Sequence, residues 1–195
     1  TYFTEAPFPN ADDVTGGEVH RVTPTNGKIQ ARLRGPENSL KKGGPDTYAD
    51  FTVWLDRGHK LAKIVVQGEE ILLRQGEWSD WVPVQFEMIP RLKSVGGICR
   101  FYLKEVAPNF KMYVTPINVD PENPALPVSA PDSFAPHLAE KFGRFYTQGF
   151  PHDVKALRNE ILDDEEYLQQ SEIAFSESRR MYESVLNEFS RGLLF

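Results

Sequence analysis

The chain holds one cysteine, Cys99, in 195 residues, so no disulfide can form within it. Its stability must come from a buried core, and a chain of this length can bury one. No apolar run approaches the roughly 18–20 residues that a helix needs to cross a bilayer, so no membrane span is expected. Positive charge is not in excess either. Twenty-two Lys and Arg face 28 Asp and Glu, giving a net charge of -6. Residues 1–125 carry 15 basic and 16 acidic side chains, and residues 126–195 carry 7 and 12. Nucleic-acid polymers need a basic surface, so none is expected as a partner. The one basic loop, Lys41-Lys42, reads as a solvated turn. Thr1 opens the sequence without a visible signal peptide, which leaves the compartment open.

Common catalytic signatures are missing as well. His20, His59, His137 and His152 include no pair at i+2 or i+4. A metal site normally needs three or four converging ligands, so no metal is expected within this chain. Gly16-Gly17 and Gly96-Gly97 lack the Lys-Ser/Thr that completes a phosphate loop, and no Gly-x-Ser-x-Gly elbow occurs. Cys99 lies in an alternating apolar run and reads as a core thiol. His152-Asp153 is the best polar pair, and Asp153 there suits a helix cap. No residue is assigned a catalytic role.

Strand signals fill the first part of the chain. Residues 1–17 read as irregular, punctuated by Pro7, Pro9, Asn10 and Gly16-Gly17. Candidate strands cover 18–23, 28–34, 48–56, 61–67, 70–74, 82–88, 97–106 and 110–116. Phe51, Val53 and Leu55 share one face, and so do Cys99, Phe101 and Leu103, with Arg100 and Lys104 opposite. Asn26-Gly27, Arg57-Gly58 and Gln67-Gly68 supply turn chemistry, and 35–45 reads as a longer loop. Short strands at this spacing predict a two-sheet sandwich or a flattened barrel.

The period then changes. Pro116, Pro121, Pro124, Pro127, Pro131 and Pro136 make an extended connector, because proline at this density denies helix and ladder bonds. Ser133 or Asp132 can cap a short helix that Gly143 ends. Asp163 with Glu166 has capping-box spacing before a long helix, and the acids of its first turn favour the helix dipole. Leu168, Phe175, Tyr182 and Phe189 recur every seven residues, widened by Ala174, Val185 and Leu186 into an apolar stripe. Arg191-Gly192 reads as the stop. Such a helix, about 27 residues and roughly 40 Å long, could reach past the sheet domain. The fold class is therefore α+β: a strand-rich domain over 1–115, a connector over 116–136 and a helical segment over 137–195.

Two places offer binding chemistry. Trp78 and Trp81 flank Ser79-Asp80 after Gly76 and could form an aromatic platform for a carbohydrate or a peptide; packing over a sheet edge is the plainer reading. The other is Phe145-Tyr146-Thr147-Gln148-Gly149-Phe150-Pro151, running through His152-Asp153-Val154 to Lys155-Ala156-Leu157, where polar, aromatic and turn-forming residues cluster.

That second stretch resembles a segment of alkaline-phosphatase-superfamily proteins of the type I phosphodiesterase/nucleotide pyrophosphatase-like group, predicted phosphohydrolases or phosphomutases. The group commonly shows Tyr-Thr-Gln-Gly-Met-Pro, Glu-Asp-Thr and Lys-Ala-Leu. Here Phe150 replaces Met, His152 replaces Glu and Val154 replaces Thr. Thr115-Pro116-Ile117-Asn118, Leu126-Pro127-Val128-Ser129-Ala130-Pro131 and Thr1-Tyr2-Phe3-Thr4 resemble the group too. The resemblance implies a parent enzyme with an α/β core and two divalent metal ions, zinc or manganese, which suit phosphoryl transfer by stabilising the attacking and leaving oxygens. It also implies a nucleophile upstream of such a region, and an Asp-x-x-x-His ligand pair after a strand like Gly192-Leu193-Leu194-Phe195.

The expectation is then a non-catalytic internal domain that shapes or covers the substrate entrance and is inactive alone. Its partners would be the parent's catalytic core and, in the full enzyme, a phosphate-ester substrate. Tyr146, Thr147, Gln148 and Asp153 are the candidates for lining the substrate side. The alternatives are a stand-alone sandwich module binding carbohydrate or peptide through Trp78 and Trp81, and a domain offering its long helix to another protein.

Overall fold

Alternation of apolar and polar side chains at period two gives a strand one face for a core and one for water. The computed structural model turns that pattern into packed sheets. It describes residues 1–8, 18–149 and 152–188. The expected features at Pro9, Asn10, Gly16-Gly17, Phe150-Pro151, Phe189, Arg191-Gly192 and Leu193-Leu194-Phe195 lie outside those residues. The chain divides into two units, Thr1–Asn118 and Val119–Phe195.

The first unit carries the strands, in order β1 (Tyr2–Thr4), β2 (Val19–Arg21), β3 (Lys28–Glu37), β4 (Asp46–Asp56), β5 (Leu61–Val66), β6 (Glu69–Arg74), β7 (Glu77–Trp78), β8 (Val82–Ile89), β9 (Lys93–Cys99), β10 (Phe101–Glu105) and β11 (Lys111–Val114). One sheet runs β2-β1-β11-β10-β7, a second runs β3-β4-β5-β6, and β8-β9 is a two-stranded ribbon. The sheets stay open and form no closed barrel. Their inner faces share one core. Phe3, Phe51 and Phe101 meet edge to face across it, with ring centroids 5.2 and 5.7 Å apart. Such aromatic geometry adds roughly 0.5–1.5 kcal/mol per pair beyond area burial.

Turn chemistry fixes the β5–β6 hairpin, where Gln67 and Gly68 take φ of 49° and 96°. At the β4–β5 turn the left-handed residue is Lys60, with φ of 53°, rather than Gly58. Gly35 answers a different need. A Cβ there would lie 2.2 Å from the Phe86 ring, so only glycine lets β3 cross that buried side chain.

Three expectations for the strands are corrected. Residues 1–17 are not irregular throughout, because Tyr2, Phe3 and Thr4 form β1 between β11 and β2. All three are buried, so no alternation marks them. The stretch 97–106 is not one strand. It breaks at Arg100, whose N–H donates to Thr115 Oγ1 at 2.9 Å, and the chain passes from the ribbon into the five-stranded sheet. Cys99, Phe101 and Leu103 still enter the same core. The loop expected over 35–45 is shorter, since β3 runs on to Glu37.

The second unit holds the helices α1 (Phe134–Phe142), α2 (Val154–Arg158) and α3 (Asp164–Glu188). The division falls three residues inside the connector, because the Asn118 N–H and C=O both pair with Ile98, at 2.9 and 2.8 Å. Ala135, Leu138, Ala139 and Phe145 form a small apolar cluster, joined by Met181 and Val185 of α3. Gly143 ends α1 with φ of 84°. Ser133 makes no side-chain cap there; the Ser129 hydroxyl instead accepts the Ala135 N–H at 3.0 Å. The α3 capping box forms in both directions. Asp163 N–H donates to Glu166 Oε2 and Glu166 N–H to Asp163 Oδ1, each at 2.9 Å.

The apolar stripe of the long helix faces outward. Leu168, Phe175 and Tyr182 are 65%, 71% and 59% exposed. The buried face carries Glu166, Gln170, Ala174, Glu177 and Ser184. No described helix is long and apolar enough to cross a membrane.

Candidate functional site

Residues 145–149 and 152–157 meet α3 through two backbone N–H groups. Tyr146 N–H donates to Glu177 Oε1 at 2.8 Å, and Asp153 N–H donates to Gln170 Oε1 at 2.8 Å. These bonds explain why a helix buries a glutamate and a glutamine. A partly buried N–H without an acceptor costs about 1–3 kcal/mol, and each long side chain supplies one. The Asp153 N–H also sets the Gln170 amide orientation, which leaves its buried Nε2 without a partner among the described residues.

The candidate side chains then divide by what they do. Thr147 is half-buried, and its hydroxyl donates to the Val119 carbonyl at 2.8 Å. Asp153 caps α2, its Oδ1 accepting the Ala156 N–H at 3.0 Å. Tyr146 is half-buried, while Gln148 is exposed beside Gly149, whose φ is 76°. His152 meets the Tyr167 ring edge to face at 5.7 Å. Tyr146, Thr147 and Asp153 are thus each held by a hydrogen bond, and Gln148 is exposed. Arg144 anchors the approach through Asp120 at 3.2 Å. Gln170 and Glu177 escaped sequence reasoning, because nothing local marks a polar helix residue as the acceptor for a distant backbone N–H.

Among the described residues no three His, Cys, Asp or Glu side chains converge. His20 lies against Phe3, rings stacked at 5.2 Å, and bonds Glu18 at 3.1 Å. His59 bonds Asp56 at 2.8 Å. The Cys99 thiol is fully buried, which pushes its pKa up to about 12 and leaves it protonated and inert.

The two tryptophans occupy the first unit. Trp78 stacks on Tyr102 at 4.6 Å and meets Tyr113 edge-on at 5.9 Å. Trp81 lies under the Arg100 guanidinium at 4.7 Å. One face of each ring is therefore already covered. Both still line a cleft of about 370 Å³, bounded by β6 on one side and residues 77–83 on the other.

Comparison with family models, curated proteins and solved structures gives no match.

Proposed function

We propose that this chain is a non-catalytic internal domain of a metal-dependent phosphodiesterase or phosphohydrolase, shaping the entrance to an active site built elsewhere in the parent. The sequence resemblance of 145–157 suggests the family. The observation that carries the structural side of the reading is the solvent-facing stripe of α3. Leu168, Phe175, Tyr182 and Leu186 are all exposed, on a helix whose inward face is largely polar. Large exposed apolar patches mark surfaces that bind something. A catalytic core packed on α3 would cover that stripe.

The test is hydrolysis of bis-p-nitrophenyl phosphate and p-nitrophenyl phosphate by the purified chain with added zinc or manganese. The expected result is no turnover above the metal-only blank. Turnover that persists through purification would overturn the reading. The stripe also favours a second reading, a helix that docks on another protein. Light scattering separates the two when the parent's core is absent: a stable oligomer that dissociates on Phe175→Glu supports helix-mediated association.

A further inference from the structure

We propose that the open edge of β6 takes up an extended peptide bearing lysine or arginine, which adds to the sheet as a fifth strand within the cleft beside Trp78. This inference concerns the first unit and does not rest on the phosphohydrolase reading.

The strand edge is available. Among the described residues β6 pairs only with β5 and ends its sheet. Gln75 N–H points back to Lys60 at 2.9 Å, while Arg74 N–H points away, to Glu77 Oε2 at 2.7 Å. Alternation along an antiparallel strand then puts the backbone groups of Glu70 and Leu72 on the open side. The cleft lining agrees, because it takes in five consecutive residues, 69–73. A sheet face offers every second residue, whereas an edge offers all of them. An uncovered edge of this kind is a template for another strand.

The charge selects the occupant. Glu69, Glu70, Glu77 and Asp80 line the cleft, and no lysine or arginine does. Lys63 reaches Glu70 at 3.2 Å and the largely buried Arg100 reaches Asp80 at 3.7 Å, each pair leaving its carboxylate exposed. Among the described residues Glu69 and Glu77 have no cationic partner. A basic strand would supply one, and Leu72, 65% exposed, offers it an apolar contact. A second copy of this chain fits less well, since it would bring the same four carboxylates to meet these. A sugar also fits less well, because Tyr102 and Arg100 already cover ring faces that would stack on it.

The probe is a peptide of about eight residues alternating lysine and valine, titrated into the whole chain by calorimetry and tryptophan fluorescence. Its counterparts are the glutamate–valine peptide and a lysine–valine peptide N-methylated on alternate amides. The lysine peptide should bind, weaken as salt rises and perturb the tryptophan emission. The glutamate and N-methylated peptides should bind at least roughly tenfold more weakly, in accord with a ladder of backbone bonds. Leu72→Pro removes an outward N–H and no ladder donor, so the fold should survive while affinity falls at least roughly tenfold. If that variant fails to fold, the N-methylated peptide on the unaltered chain decides. Absence of binding at about 1 mM, equal binding of the glutamate peptide, or indifference to both Leu72→Pro and N-methylation would overturn the proposal. So would a dimer that Leu72→Pro disperses.

Discussion

Glu5 shows how one side chain ties distant strands together. Its carboxylate accepts Arg57 Nη2 at 2.7 Å and the Phe110 N–H at 2.9 Å. Arg57 in turn donates to the carbonyls of Val106 and Pro108, at 3.0 and 2.7 Å. The start of the chain is thereby fastened to the β10–β11 connection. Burial works to raise the Glu5 pKa, but the Arg57 and Phe110 hydrogen bonds, with the Arg57 charge, together bring it below the ordinary glutamate value. The sign follows from linkage. A carboxyl with a lowered folded-state pKa gives its full stabilisation above the unfolded value, and loses it as pH falls through the folded one. Glu18, lowered by Arg34 and His20 against its own desolvation, acts in the same acid range. Glu5→Gln should therefore flatten the acid limb of the stability curve without abolishing it. The cost at neutral pH should be about 1 kcal/mol, since Arg57 is partly solvent-screened. Urea midpoints measured from about pH 3 to pH 7 check this, and an unchanged acid limb would refute it.

Among the elements, α3 separates what local sequence encodes from what it does not. Its capping box was legible because Asp163 and Glu166 lie within one turn and satisfy each other's N–H groups. The Asp153 cap was legible for the same reason. The orientation of α3 was not. Its seven-residue repeat marks an apolar stripe but not which way it faces, and the helix turns Glu177 and Gln170 inward to accept N–H groups from Tyr146 and Asp153, 31 and 17 residues away. A non-local backbone demand outranks the apolar period there. Most strands were legible from alternation, whereas β1 is too short and too buried to alternate, and the break at Arg100 depends on Thr115. The helix-level prediction tests that demand. Glu177→Ala leaves the Tyr146 N–H without this acceptor and should cost about 1–3 kcal/mol, whereas Glu177→Gln keeps an acceptor oxygen and should recover most of it. Amide exchange at Tyr146 gives a second readout, faster in the alanine variant and near normal in the glutamine one. Equal stability of all three proteins would show that the buried glutamate has another purpose.

At the scale of the whole molecule, the two units have separate apolar clusters. Every residue of the large cluster, from Phe3 to Ile117, lies within Thr1–Asn118. The small one lies wholly in Val119–Phe195. A domain with its own core can fold alone, and about 118 residues is an ordinary domain size. Residues 1–118, expressed by themselves, should therefore form the same sheets. Cys99 supplies the readout. It is fully buried, with its pKa pushed up to about 12 by desolvation, so a thiol reagent reaches it only when the core opens. The fragment should protect Cys99 in native buffer as the full chain does, and should lose protection in one cooperative step with urea. Immediate labelling of the fragment beside slow labelling of the full chain would show that the second unit is needed to close the sheets. Protection in both would place the stability of the β6 cleft in the first unit alone, and the peptide experiment could then be repeated on the shorter chain.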